Sequence, residues 1–450
     1  MIRSRGDAAD PPDRPAGGAH THRAGAHGRA APQGLARAPA PPPRAPVPAL
    51  PRSVPVPALS CGSASLVAMD DRMTTPWGEL ALTRFPEDPR DRLRAWDASD
   101  AYLLAHLAEQ ETPLTGTVVI VGDRWGALAT ALAAHAPTQI TDSCLTQEAT
   151  RANLARAGVE PGTVRLLTTQ DPPPERIDVL LVRVPKSLAL LEDQLLRLAP
   201  SVHEGTVVVG TGMVKEIHTS TLQMFERALG PTRTSLARRK ARLIFCTPDP
   251  ALKPGPSPWP YVYRLPDGIG PVSGRTVVNH AGVFCADRLD IGTRFFLGHL
   301  PQTRGAQRVV DLGCGNGVVG TAVAVANPEA EVLFVDESFQ AVASAEATYK
   351  ANGVPGHAEF RVGDGLAGVP AGSVDIVLNN PPFHSHQATT DATAWRMFTG
   401  ARRALRPGGE LWVVGNRHLG YHVKLRRLFG NSRLVASDPK FVVLKAVKER

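Results

Sequence analysis

The amino-acid sequence predicts an α/β protein of two tandem Rossmann-like domains built on one plan, preceded by a Pro/Ala/Arg-rich tail that does not fold. Length is the first reason: 450 residues exceed what one hydrophobic core usually organises, and an apolar fraction of 43% can fill two. From Trp77 onward, short β-branched runs alternate with longer helical stretches, the pattern of a parallel sheet covered on both faces. This alternation runs twice, on either side of the break Pro254-Gly255-Pro256-Ser257-Pro258.

Residues 1 to about 68 are mostly Pro, Ala, Arg, Gly and His, with few side chains able to form a core, so residues 1–72 are expected to be a disordered tail. Met69 and Met73 stand just ahead of the first globular sequence, and a mis-assigned translation start would explain the tail as well. A first domain is expected over 73–250, with strands at 117–121, 179–184 and 206–209 and helices at 188–198 and 219–229. A second is expected over 251–450, with strands at 308–312, 331–335, 374–378 and 410–414. The runs 433–436 and 441–447, joined by Ser437-Asp438-Pro439-Lys440, read as a closing antiparallel hairpin. The halves look like copies. The run from Val118 to Gly126 lines up with that from Val309 to Gly317, and Asp178-Val179-Leu180-Leu181 with Asp375-Ile376-Val377-Leu378. These landmarks lie 60 residues apart in the first half and 66 in the second, which a duplication explains and a chance match of two α/β domains also allows.

The net charge of +8 overstates the case for nucleic acid, because residues 1–68 hold eight arginines against three aspartates and leave only +3 for the folded part. A basic patch must come from local clusters: Arg238, Arg239, Lys240 and Arg242; Arg402, Arg403 and Arg406; Lys424, Arg426 and Arg427. Each can equally be a solvated helix face. The five cysteines are scattered and never spaced C-x-x-C, which argues against a disulfide framework or a zinc site. No apolar run approaches a membrane span, and the N-terminus lacks a signal peptide's apolar centre, so the expected location is cytoplasmic.

Asp311-Leu312-Gly313-Cys314-Gly315-Asn316-Gly317 ends a strand and opens a helix, where glycines let a ligand approach the backbone amides. The loop alone fits two cofactors, because Gly315 to Gly320 also satisfies G-x-G-x-x-G with Asp336 at the right distance for a dinucleotide. Asp311 favours S-adenosyl-L-methionine: a carboxylate there would attract an ammonium or sulfonium and repel a pyrophosphate. Asp336 can accept from both ribose hydroxyls with either cofactor. Asp364, in Gly363-Asp364-Gly365, is either an acceptor for an adenine amine or an ordinary turn aspartate.

Asn380-Pro381-Pro382-Phe383 directly follows the fourth strand of the second half, in the loops that form the ligand crevice of an open parallel sheet. An aromatic exocyclic amine is a poor nucleophile because its lone pair is delocalised into the ring. Two acceptors on that amine can pull it toward tetrahedral geometry and aim the lone pair at a methyl carbon. The side-chain oxygen of Asn380 and the carbonyl of Pro381 would be those acceptors, made rigid by Pro381 and Pro382, with Phe383 stacking on a flipped base. The competing reading is a proline-rich turn closed by a core phenylalanine. His384 and His386 lack a third ligand, so His384 reads as pocket lining and no metal is expected.

The alignment sets Val182-Arg183-Val184-Pro185-Lys186 of the first half against Asn379 to Phe383. Cations stand where an acceptor and a ring are required, and Asp123, Arg124 and Trp125 fill the positions of Cys314, Gly315 and Asn316. The first half is therefore expected to be non-catalytic, an RNA platform or a structural support.

With Leu93-Arg94-Ala95-Trp96-Asp97-Ala98-Ser99-Asp100, Lys215-Glu216-Ile217-His218-Thr219, Lys240-Ala241-Arg242-Leu243-Ile244, Gly282-Val283-Phe284 and Leu289-Asp290-Ile291-Gly292, the chain resembles the bacterial ribosomal RNA guanine-N2 methyltransferases with tandem Rossmann-like domains, from about Leu80 onward. The resemblance implies methyl transfer to N2 of a guanosine in 23S ribosomal RNA, naked or partly assembled, by a monomer whose tetrad catalyses. The sister family acting on 16S ribosomal RNA shares the 282–292 region and is the nearest alternative. N-methylation of a protein glutamine, a nicotinamide dehydrogenase and an RNA-binding relic are the other rivals. The tail departs from the family pattern and inherits no role from it.

Overall fold

The computed structural model describes residues 72–88, 91, 93–382 and 387–450. Of the expected tail over 1–72, residues 1–71 lie outside the described residues, as do Phe383, His384 and His386, while Arg72 already belongs to the first strand.

The first half opens with a hairpin, β1 (Arg72–Thr75) and β2 (Gly78–Ala81), followed by α1 (Ala98–Glu109). It continues through β3 (Val118–Val121), α2 (Ala127–Ala131), β4 (Thr138–Thr141), α3 (Cys144–Arg156), β5 (Arg165–Thr168), β6 (Ile177–Arg183), α4 (Leu188–Leu198), β7 (Val202–Met213), α5 (Thr219–Ala228), β8 (Thr232–Thr234) and β9 (Ala241–Cys246). The second half repeats this: hairpin β10 (Tyr261–Arg264) and β11 (Thr276–Asn279), then α6 (Ile291–Leu297), β12 (Arg308–Leu312), α7 (Val318–Ala326), β13 (Glu331–Asp336), α8 (Phe339–Ala351) and β14 (His357–Val362). It closes with β15 (Val374–Asn379), α9 (Gln387–Ala404), β16 (Leu405–Asn416), α10 (Tyr421–Phe429), β17 (Arg433–Ser437) and β18 (Phe441–Val447).

Each half holds a seven-stranded sheet, in the orders β5-β4-β3-β6-β7-β9-β8 and β14-β13-β12-β15-β16-β18-β17. In the second half five strands pair in parallel, β18 returns antiparallel to β16, and β17, antiparallel to β18 as the closing hairpin required, runs with the five. The central strands read as unbroken apolar runs because both faces are covered: Val118 and Ile120 belong to one core layer, Val119 and Val121 to the other. In β12, Val309 and Val310 divide in the same way.

Register turns the sequence alignment into a structural one. Val118 pairs with Val179 as Val309 pairs with Ile376, and Val121 with Val182 as Leu312 with Asn379. Thr117 N donates to Asp178 at 2.8 Å as Arg308 N donates to Asp375 at 2.7 Å. The two hairpins were not foreseen. Their strands are only four residues long, too short for a periodic signal: β2 and β10 are largely exposed while β1 and β11 bury alternate residues. Polar side chains of α3 and α8 hold the hairpins or the chain just after them, with Asn153 Oδ1 accepting from Thr83 N and Thr348 Oγ1 from Val278 N.

The halves touch at equivalent corners. Ser143 and Ser338, the N-caps of α3 and α8, form an antiparallel bridge in which Cys144 N donates to Glu337 O at 3.0 Å and Phe339 N to Asp142 O at 2.9 Å. The side chains reciprocate. Ser338 Oγ donates to Asp142 at 2.6 Å, and Ser143 Oγ donates to Glu337.

Candidate active site

At the C-terminal ends of β12, β13 and β15 the second half opens a cavity of about 1030 Å³. Its position is the one a doubly wound sheet dictates, where neighbouring crossovers diverge. Gly313, Gly315, Asp311, Asp336, Asp364, Asn380, Pro381 and Pro382 all line it, so residues from four separate strand ends and the loops after them, between Asp311 and Pro382, meet in one place.

The glycines do three different jobs. Gly317 (φ 75°) caps α7, and a Cβ there would stand 2.7 Å from the Ala345 backbone, so it permits the close approach of α7 to α8 and stays out of the cavity lining. Gly313 (φ 72°) turns the strand into the loop beneath Met397. At Gly315 (φ 52°) a Cβ would meet nothing within 4 Å, which leaves room for a ligand to reach the loop amides.

Asp336 holds the loop. Its Oδ2 accepts from Gly315 N at 3.0 Å and its Oδ1 from Ser338 N at 3.1 Å, and each carboxylate oxygen keeps a second lone pair for a hydroxyl donor. Asp311 is almost fully buried and its Oδ2 accepts from Gly320 N at 2.8 Å, so one oxygen supports the helix start rather than reaching a ligand cation. Burial pushes its carboxyl up to about 7. Asp364 faces the Arg396 guanidinium at 3.8 Å.

Asn380 stands at the end of β15 with Pro381 buried behind it. Its Nδ2 donates to Thr293 Oγ1 at 3.0 Å, while its Oδ1 is buried with no hydrogen-bond partner among the described residues. Leaving such an acceptor unmet costs about 1–3 kcal/mol, so an amine donor arriving there recovers what the folded protein lacks. Before it, Asn379 donates to Leu312 O at 2.7 Å and ties the tetrad strand to the glycine-loop strand.

Several contributors escaped the sequence reading. Thr293 and Asp290 anchor Asn380, and their signal was a D-x-x-T cap ahead of an apolar run. Asp142 and Leu145 of the first half also line the cavity, beside Glu337. Burial pushes Asp142 up to about 6 and Glu337 up to about 7. Three members of the basic clusters make contacts within the fold: Arg403 donates to the carbonyls of Leu366, Ala367 and Val369, Arg406 pairs with Asp375 at 2.5 Å, and Arg238 pairs with Glu109 at 2.9 Å.

The first half fills the corresponding crevice with its own charges. Arg183 is wholly buried and pairs with Asp97 at 2.7 Å, Glu216 at 3.0 Å and Asp100 at 3.4 Å, while Arg124 reaches Glu216 at 2.8 Å. Asp123 turns inward, and its Oδ2 accepts from Ala129 N at 2.9 Å, the contact Asp311 makes to Gly320 in the other half.

A Rossmann-like sheet, an acidic glycine loop with open space at its centre and an unpartnered asparagine acceptor in the wall of the same cavity define an S-adenosylmethionine-dependent methyltransferase. Residues 70–250 match the RLMG N-terminal domain family and residues 274–445 the methyltransferase small domain family. The chain belongs to the ribosomal RNA large subunit methyltransferase G family. It is 81% identical over 381 residues to the ribosomal RNA large subunit methyltransferase G of Streptomyces avermitilis, covering 85% of this chain and 100% of the relative. It is 48% identical to that of Stutzerimonas stutzeri, covering 84% and 99%. Among solved structures, a T. thermophilus 16S rRNA N2 methyltransferase in complex with AdoMet and guanosine shares the fold at a TM-score of 0.65 and 20% identity, over 84% of this chain and 97% of that one. Among the described residues no helix is long and apolar enough to cross a membrane, and no three His, Cys, Asp or Glu side chains gather as a metal site.

Proposed function

We propose that this chain transfers a methyl group from S-adenosyl-L-methionine to the exocyclic N2 amine of a guanosine in 23S ribosomal RNA, acting in the cytoplasm as a monomer. The observation that carries the reading is the buried, unpartnered Oδ1 of Asn380 at the cavity wall. The family's name supplies the large-subunit RNA, and the fold neighbour, whose name specifies N2 of 16S rRNA, supplies the precedent for the N2 amine.

Gly313, Gly315 and Gly317 shape the cofactor's bed, with Asp336 on the ribose hydroxyls, Asp364 toward the adenine and Asp311 beneath the loop. When bound, S-adenosylmethionine supplies an electrophilic methyl carbon on a sulfonium. Asn380 Oδ1 and the Pro381 carbonyl accept from the guanine amine and turn its lone pair out of conjugation. The methyl carbon would pass to the amine nitrogen, its bond to sulfur breaking as the bond to nitrogen forms. The methylated amine, acidic once alkylated, gives its proton to solvent. The half at 251–450 carries this chemistry, and the half at 73–250 supports it and offers an RNA platform. Arg427, stacked over the cavity residue Trp395, extends a basic surface from α10 toward the mouth.

The test is methylation of a naked 23S RNA transcript with labelled cofactor, followed by nucleoside mass spectrometry. N2-methylguanosine is expected, with Asn380→Ala slowing its formation about 100-fold or more. Methyl transfer to 16S RNA alone, or to a protein glutamine, would replace the substrate assignment.

A further inference from the structure

An asparagine amide can serve as an acceptor only if something fixes which way round it sits, because its oxygen and nitrogen are nearly the same size. In this protein α6 supplies that fixing. Asp290, the N-cap of α6, takes the backbone N–H of Thr293 at 2.8 Å and the Thr293 hydroxyl at 3.2 Å on the same oxygen, Oδ2. An ionised carboxylate only accepts, so the single hydroxyl proton of Thr293 points at Asp290. The lone pairs of Oγ1 then face Asn380, whose Nδ2 lies 3.0 Å away. Turning the amide over would set Oδ1 against those lone pairs. It would also leave the NH₂ group in the place where the substrate amine must find an acceptor.

The other half supports this reading. By register Arg183 occupies the position of Asn380, and Asp97 is the N-cap of α1 as Asp290 is of α6. Asp100, three residues after its cap, matches Thr293. There the helix start carries two carboxylates and grips a cation, with Arg183 bound to Asp97 at 2.7 Å and Asp100 at 3.4 Å. The cap and the residue three beyond it thus determine the side chain at the strand end in both halves.

We propose that Thr293, oriented by Asp290, is a positioning residue that sets the polarity of the Asn380 amide so that Oδ1 meets the substrate amine. This rests on the methyltransferase reading of Asn380, and its test separates the two. Thr293→Val keeps the shape and removes the hydroxyl; Thr293→Ser keeps the hydroxyl; Thr293→Ala is a smaller alternative free of steric conflict. Each is assayed with a naked 23S RNA transcript, with calorimetry of S-adenosylhomocysteine on the same preparations to show that the cavity is intact.

Thr293→Val and Thr293→Ala should lower kcat about 10- to 100-fold with little change in KM for RNA or in S-adenosylhomocysteine affinity, and Thr293→Ser should restore it. Added to Asn380→Ala, Thr293→Val should cost no further rate, because no amide remains to be aimed; a merely structural role would cost rate again. Wild-type kcat in Thr293→Val, or a second full loss in the double variant, overturns the positioning role while leaving the function intact. Wild-type kcat in Asn380→Ala overturns the function itself.

Discussion

At the end of β6 and at the end of β15 the same three positions carry different chemistry. Asp97, Asp100 and Arg183 close the first site with ion pairs, whereas Asp290, Thr293 and Asn380 leave one amide oxygen unmet in the second. The difference extends around the crevice. By register Thr141 stands for Asp336 and Gln170 for Asp364, so these two carboxylates of the cavity lining are replaced by neutral side chains in the other half. Thr141 Oγ1 still accepts from Ser143 N, as Asp336 Oδ1 accepts from Ser338 N, so the turn persists without its carboxylate. A duplicated fold can retain its hydrogen-bonded frame while the side chains aimed into the cleft change from ligand acceptors to internal partners.

The largest effect should come from removing the plug. Arg183→Ala leaves Asp97, Asp100 and Glu216 without their buried cation and should destabilise the protein by about 3–5 kcal/mol in denaturant unfolding, without touching cofactor contacts. A loss below 1 kcal/mol would mean that the plug only fills space. Next come the paired glycines. Gly126→Ala and Gly317→Ala each drive a Cβ into the facing helix, at Thr150 and Ala345, and each should lose about 1–3 kcal/mol. Only Gly317→Ala should also weaken S-adenosylhomocysteine binding by calorimetry; equal weakening in Gly126→Ala would make the first half part of the cofactor site.

The two caps should matter less. Ser143→Ala and Ser338→Ala each remove an N-cap acceptor and one arm of the bridge between halves, an expected loss of about 1 kcal/mol apiece in thermal unfolding. Their effects should couple in the double variant, because the arms are reciprocal. The last effect is on the pH profile of stability. Burial raises the Asp311 carboxyl to about 7, above its unfolded range near 4, so the folded state binds the proton more tightly and stability falls as pH rises between those values, then levels. Asp311→Asn should remove that slope. Its advantage over wild type in thermal unfolding should grow from pH 4 to 7 and stay constant above; an advantage independent of pH would show that the carboxyl is not the group responsible.

Much of this was legible in the sequence because it depends on local pattern. The apolar runs of β3, β6, β12 and β15 are continuous, the glycine loop and the tetrad are contiguous, and α4 and β12 match their expected bounds. β16 proved longer than 410–414 because β18 pairs with it along Glu410–Asn416 and Val374 of β15 pairs with Leu405, partners distant in sequence that no local window weighs. Thr293 was invisible for the same reason: its role depends on an asparagine 87 positions later. Alignment sets Asp123 at the position of Cys314, but alignment compares positions and not side-chain directions. Its carboxylate turns inward and does for α2 what Asp311 does for α7.

The bridge at Ser143 and Ser338 is isologous: what each corner gives, it receives from the same atoms of the other. Such contacts ordinarily join two identical molecules and weaken on dilution. Carried within one chain, this one holds at any concentration. A change in the crevice of one half therefore leaves the pairing of the two intact.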